Sequence, residues 1–196
     1  MSDTTKQLEE LVRNRDPLKI EKEGDFVHAA VMLILRESGE ELSILFIKRP
    51  ESDRDAFSGH VAFPGGKMAE GDKSKLDTAI RETHEEIGVD LNLCGHLIGE
   101  LDDVNPNNPR TDNYIVTPYL CLLSGEVTLK PNMLEVEAAV WVPLSHLKDE
   151  KNVKIRFRER RGRTVQDYVY SYKQYIIWGM TGRIVHQFLS FSSHLF

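Results

Sequence analysis

The chain is poor in cysteine, has no long apolar run, and carries no excess of positive charge. Two cysteines, Cys94 and Cys121, are too few for a disulfide framework, so both are expected as reduced core thiols. The longest apolar run near the start, Ala29 to Leu35, falls far short of the ~20 residues that a membrane helix needs. Met1 to Lys6 lacks the basic-then-apolar order of a secretory signal, and Ser193-His194-Leu195-Phe196 is not a peroxisomal ending. A cytoplasmic location without a membrane partner is therefore expected. A net charge of −6 argues against general nucleic-acid binding while leaving room for a local basic pocket. The seven histidines show no metal-ligand spacing, and no repeat, linker or low-complexity tract divides the chain.

What is present suits one globular domain: 196 residues, with apolar and charged fractions of 40% and 29%. Residues 1–24 are expected as a helical extension, 25–190 as the domain and 191–196 as a tail. Leu8, Leu11 and Val12 predict a short amphipathic helix before Asp16-Pro17. Phe26 to Leu35 and Leu42 to Ile47 predict a hairpin turned at Glu37–Glu40, followed by a polar loop from Pro50 to Ser58 and a short strand, Val61 to Phe63. Leu76, Ile80, Thr83 and Ile87 recur at helical spacing, widened by Ala79, and predict a helix from Ser74 to Ile87 capped by Gly88. Further strands are expected at Leu93–Ile98, Tyr114–Leu123, Val127–Leu129 and Val136–Val142, with a loop from Asn105 to Asn113 near a ligand mouth. A short helix is expected from Leu144, a hairpin of Val153–Phe157 with Val165–Tyr172 around Gly162, and a closing helix from Ile176 to Leu189.

The chemistry concentrates on the central helix. Glu82, Glu85 and Glu86 crowd about one turn, where like charges at i,i+4 repel, so a cation is expected among them. Mg²⁺ and Mn²⁺ take hard oxygen ligands and keep several waters. Glu82 and Glu86 can share such an ion, Glu85 can add a ligand or hold a water, and Gly66 can bring a backbone carbonyl close because no side chain blocks it. An ion so held polarises a phosphoryl oxygen and acidifies a bound water, and the fitting substrate is a diphosphate. The bland alternative is a solvated acidic helix face. Against it stand Arg81 beside Glu82, able to pair with Glu85, Gly88 at the cap, and Gly65-Gly66 upstream.

Gly66, Asp72, Arg81, Glu82, Glu85, Glu86, Gly88 and Val89 together resemble the signature box of Nudix hydrolases. The stretch from Gly66 to Arg81 is one residue longer than is commonest, and Thr83 stands where an aliphatic residue is usual. The resemblance implies an α/β fold, a Nudix-type α/β/α sandwich with a mixed β-sheet. It implies a metal-dependent diphosphatase in which Glu82, Glu85, Glu86 and the Gly66 carbonyl hold Mg²⁺ or Mn²⁺, and in which Arg81, Glu82 and Glu85 serve catalysis. The longer spacing, with Arg49, Arg54, Gly59 and Phe63-Pro64-Gly65-Gly66, is similar to the coenzyme A diphosphatase branch. So are Thr78-Ala79-Ile80-Arg81-Glu82, Tyr114–Tyr119 and Ile177–Thr181. Arg49, Arg54 and Gly65 are then the expected substrate contacts. Pro50, Phe57, Ala69 and an extra residue between Arg54 and Gly59 depart from that branch, and all four bear on substrate choice rather than on hydrolysis. The alternatives are a Nudix hydrolase of ADP-ribose, a dinucleotide or a nucleoside triphosphate, and a non-catalytic nucleotide sensor or RNA-binding domain. A small-molecule nucleotide is the expected partner, nucleic acid is disfavoured, and the family's frequent dimerisation leaves a homodimer open.

Four other groups are candidate sites. Glu135 or Glu137 can supply a late-loop acid, though exposed glutamates are common. Glu100, Asp102 and Asp103 read as a solvated loop, and His84 as a surface histidine. Lys154, Arg156, Arg158, Arg160, Arg161 and Arg163 read first as a charged, protected edge strand.

Overall fold

Seven consecutive buried residues, Ala29 to Leu35, make a strand that must be covered on both faces. The computed structural model describes residues 1–21, 24–52, 57–106, 113–160 and 162–196, with backbone alone at 160 and 163. The elements run α1 (Asp3–Arg13), β1 (Val27–Ser38), β2 (Glu41–Lys48), β3 (Val61–Ala62), β4 (Gly65–Lys67), α2 (Lys75–Ile87), α3 (Leu91–Cys94), β5 (Gly95–Glu100), β6 (Tyr114–Leu123) and β7 (Ala138–Pro143). They continue with α4 (Leu144–Lys148), β8 (Val153–Arg160), β9 (Arg163–Tyr172), β10 (Tyr175–Ile177) and α5 (Gly179–Ser192).

Alternate residues of β1 enter two different cores, as the period of a strand requires. Ala29, Val31, Leu33 and Leu35 pack with Leu8 and Val12 of α1, Leu144 of α4 and Phe188 of α5. Ala30, Met32 and Ile34 pack with Ala79 and Ile87 of α2. Helices on both faces of one sheet give the α/β/α sandwich. The sheet is mixed. β1 runs parallel to β6 from Val27–Tyr114 to Leu35–Leu122 and antiparallel to β2. The β1–β2 ladder stops at Leu35–Ile44. Beyond it β4 pairs with β1 at Val31–Gly65 and β3 pairs with β2 at Ile47–Ala62, so the two glycines are carried into the gap between the diverging strands. A second sheet, in the order β10-β9-β8, leaves β8 at its edge.

Both flanking segments pack on the first core. Leu8 of α1 is fully buried there, and Leu195 and Phe196 rest against it. Arg15 grips Asp102 at 3.0 Å and Lys19 reaches Glu100 at 2.9 Å. Asp103 accepts hydrogen bonds from the Ile20 amide and the Thr117 hydroxyl. The acidic group expected as a solvated loop is instead the clamp that holds the N-terminal segment.

Three expected elements differ. Leu93 lies in α3 and points to solvent, because Asp90 caps a helical turn before β5 begins. Val127 to Leu129 pair with no strand; the next residue, Lys130, donates its amide to the Ile87 carbonyl and runs over the end of α2. Ile176 and Ile177 belong to β10, and α5 starts only at Gly179. Cys121 is buried, Cys94 only partly, and both are free. Arg54, Arg161 and most of the Asn105–Asn113 loop lie outside the described residues. No helix among the described residues is long and apolar enough to cross a membrane.

Candidate active site

α2 begins where Ser74 accepts a hydrogen bond from the Asp77 amide at 3.1 Å, and ends at Gly88 with φ 69°, whose amide returns to the His84 carbonyl at 2.9 Å. A left-handed cap of this kind suits glycine. The buried face carries Thr78, Ala79, Thr83, Glu86 and Ile87. Thr83 fits the place of an aliphatic residue because its hydroxyl donates to the Ala79 carbonyl at 2.7 Å, leaving the methyl for packing.

Glu86 is the unusual member of that face, with 1% of its surface exposed. Its Oε2 accepts the Gly65 amide at 2.9 Å, and Arg49 Nη1 stands 3.9 Å from Oε1. Burial pushes the Glu86 carboxyl up to about 8, opposed by the Gly65 amide and Arg49 and reinforced by the charges of Glu82 and Glu135. Glu82 is also raised by burial, with Arg81 pulling it down. Glu85 is half exposed.

Arg81 organises the outer side. Its Nε and Nη2 grip the two oxygens of Asp72, each at 2.9 Å, while Nη1 reaches Glu82 and Glu85, both at 2.9 Å. Nη2 also donates to the Lys67 carbonyl at 3.2 Å. Asp72 in turn accepts the Ala69 amide at 2.8 Å and the Thr78 hydroxyl at 2.9 Å. The Arg81 fork and those two donors hold the Asp72 carboxyl well below the usual range. One planar guanidinium thus ties the acidic loop, β4 and two helical carboxylates together, which a lysine could not do.

The two glycines have separate reasons. At Gly65, φ is 149° and a Cβ would lie 2.2 Å from the Ala30 carbonyl oxygen. At Gly66 a Cβ would lie 2.4 Å from the Glu82 carboxyl carbon. Gly66 is therefore the wall against which Glu82 rests.

The fold brings Arg49, Gly65, Gly66, Arg81, Glu82, Glu85 and Glu86 together; the placement of Arg54 is not described. Glu137 is drawn away to Lys48 at 2.7 Å, whereas Glu135 is near enough to raise both Glu82 and Glu86. Asn132 donates its amide to the Glu86 carbonyl at 2.9 Å and its side chain to Glu135 at 3.1 Å, which pins that loop to α2. Sequence reasoning placed Asp72 in the motif without seeing that it is the anchor of Arg81, and it missed Asn132, for which the sequence offers no signal. A cavity of about 390 Å³ beside Arg81, lined by Asp72, Lys73, Asp77, His84 and Asp90, includes neither Glu82 nor Glu86. His84 thus faces that cavity rather than the carboxylates.

Among the described residues no three acidic, histidine or cysteine side chains converge as a ready cage for an ion; Glu82 and Glu85 are turned to Arg81, and Glu86 to Gly65. The residues nevertheless fit a hard divalent cation. Every donor in the group is oxygen, the buried Glu86 carboxylate has only partial compensation, and the Glu82 carboxylate rests against the bare backbone of Gly66, whose lack of a side chain lets the two approach.

Residues 26–166 match the family model of the NUDIX domain. The chain belongs to the Nudix family. The Nudix hydrolase NudL of Photorhabdus laumondii is 34% identical over 160 residues, 82% of each chain. Nudix hydrolase 15, mitochondrial, of Arabidopsis thaliana is 33% identical over 166 residues, covering 80% of this chain and 55% of that one. Among solved structures, a Caenorhabditis elegans Ap4A hydrolase complex aligns with 61% of this chain and 81% of its own, at 19% identity and a TM-score of 0.52. The Nudix domain of Shewanella oneidensis NrtR, complexed with ADP ribose, covers 75% and 86% at 20% identity and a TM-score of 0.50. These last two support the fold alone. The chain is a Nudix hydrolase, an enzyme of small-molecule nucleoside diphosphate derivatives, and Nudix hydrolases use divalent metal ions.

Proposed function

We propose that this Nudix hydrolase splits the diphosphate of coenzyme A or its thioesters, releasing 3′,5′-ADP and (acyl-)4′-phosphopantetheine. The observation that carries the reading is the segment upstream of the box. Arg49, Gly59 and Phe63-Pro64-Gly65-Gly66 run into the long spacing before Arg81, and the Arg49 guanidinium stands beside the buried Glu86. A guanidinium at that place suits a phosphate oxygen of the substrate.

Glu82, Glu86, Glu85 and the Gly66 carbonyl are the proposed holders of Mg²⁺ or Mn²⁺. Bound there, the ion would polarise a phosphoryl oxygen and acidify a water. The residues themselves do the rest. Arg81 positions Glu82 and Glu85. Gly65 and Arg49 fix the Glu86 carboxylate. Glu85, half exposed, has open access to solvent and Glu82 lies deeper, so both are placed to accept the proton of the attacking water. Water adds to one phosphorus, the bridging P–O bond breaks, and the bridge oxygen leaves with the other phosphate.

The test is a substrate panel with each metal, resolved by chromatography. Coenzyme A should turn over to the two named products. Fast turnover of ADP-ribose with none of coenzyme A would discard this substrate, and no turnover of anything would favour a sensor.

A further inference from the structure

Three aromatic rings gather beside Arg49. The Arg49 amide donates to the His60 carbonyl at 3.0 Å, continuing the β2–β3 ladder past Lys48–Val61. Side chains alternate along a strand, and opposite residues share a face. Ile47 faces the α2 core. Arg49, two residues on, reaches Glu86, and His60 lies opposite Arg49 across the continued ladder. The His60 ring lies 4.8 Å from that of Trp178, tilted by 58°, and Phe57 meets His60 edge-on at 6.0 Å. Trp178 precedes α5 and keeps 43% of its surface exposed. Trp141, by contrast, is covered by the Arg36 guanidinium at 4.2 Å.

We propose that Trp178 and His60, backed by Phe57, form the platform on which the nucleobase of the substrate stacks. The inference rests on the nucleotide-diphosphate reading and adds to it the residues that recognise the base. A planar base presents a π-face to such rings whatever its identity, and one good stack changes affinity by about 10-fold or more. Arg49 lies between this platform and the carboxylates: its side chain meets Glu86 and its backbone holds His60. A base on the rings therefore directs the attached phosphates toward Arg49 and α2. His60 is held from three sides, by Arg49, by Phe57 and by Trp178, while Trp178 offers exposed surface to a ligand.

The test uses Trp178 as its own reporter. In the full chain carrying Trp141→Phe, Trp178 is the sole tryptophan. Titrating AMP should quench its fluorescence saturably, and ribose 5-phosphate should not. For an adenine-containing substrate that the enzyme turns over, Trp178→Ala should raise KM about 10-fold or more. The loss should be carried by KM rather than kcat, and Trp178→Phe should restore most of it. His60→Ala should act in the same direction. No quench by AMP, or an unchanged KM in Trp178→Ala with an unchanged melting temperature, would overturn the platform. AMP quenching alongside turnover of ADP-ribose but not of coenzyme A would support the platform and remove coenzyme A as substrate, so the two proposals fail separately.

Discussion

Glu86 holds a carboxylate in the core with one amide and one distant guanidinium to offset it, and its consequences can be measured without any substrate. Its ordinary value of 4.5 is raised to about 8 by burial. Between those values the native protein binds more protons than the unfolded chain, so the free energy of unfolding falls with rising pH. The metal-free protein should therefore lose melting temperature as pH climbs through that window, and added Mg²⁺ should restore it by binding the native state alone. Glu86→Gln should flatten the profile and melt no lower than the parent without metal, while losing orders of magnitude in rate. A marked fall in its melting temperature would assign Glu86 a structural role. Arg81→Lys is the complementary case. It keeps the charge and loses the fork on Asp72, Glu82 and Glu85. Activity should drop by about 10-fold or more, and stability by about 1–3 kcal/mol, discounted because Arg81 is partly exposed. Equal activity in Arg81→Lys would show that charge alone suffices. The carboxylates and Arg81 were legible in the sequence because they sit on one helix, where spacing reports geometry. Asp72 as the anchor of Arg81 was not, because that contact crosses a loop whose path no periodicity encodes.

At the scale of elements, the diverging β1 and β2 explain why two adjacent glycines have different duties. Gly65→Ala places a methyl against the Ala30 carbonyl in a backbone conformation hostile to side chains. That variant should fold poorly, with a melting temperature well below the parent. Gly66→Ala meets the movable carboxyl end of Glu82 instead. It should fold nearly as the parent does and lose most of its activity. Equal thermal stability of the two variants would contradict this division of roles. The same contrast marks what the chain disclosed in advance. β6 and α2 matched expectation because a stretch rich in β-branched, aromatic and aliphatic residues and a capped 3.6-residue stripe are local signals. β4 was missed because Gly65-Gly66-Lys67 has no strand propensity and is held by pairing with β1. Val127 to Leu129 misled in the opposite direction: an apolar-alternating segment covers the end of α2 rather than joining a sheet.

For the whole molecule, the sheet separates α1 from the proposed site. The carboxylates and Arg49 lie on the α2 side, whereas α1 packs on the other face through Leu8 and Val12, with Val12 seated over Gly99 where a Cβ would come within 2.7 Å of it. The matched family region begins at residue 26, so α1 lies outside it. The helix still contributes to the first core: Leu8 is completely buried, and Leu8→Ala should cost about 2–5 kcal/mol through lost transfer energy and the cavity left behind. That loss should lower the denaturant midpoint and the melting temperature. Assayed well below its own melting point, Leu8→Ala should keep both kcat and KM, because seven buried positions of β1 stand between the two cores and the Gly65–Glu86 bond lies on the far side. Removing residues 1–14 should have the same signature on a larger scale, since it also frees the partner face of β5. A truncated chain that kept its stability would show that α1 merely rests on the domain. One that kept its stability but lost activity would mean that α1 acts on the site through the sheet, contrary to the two-core arrangement.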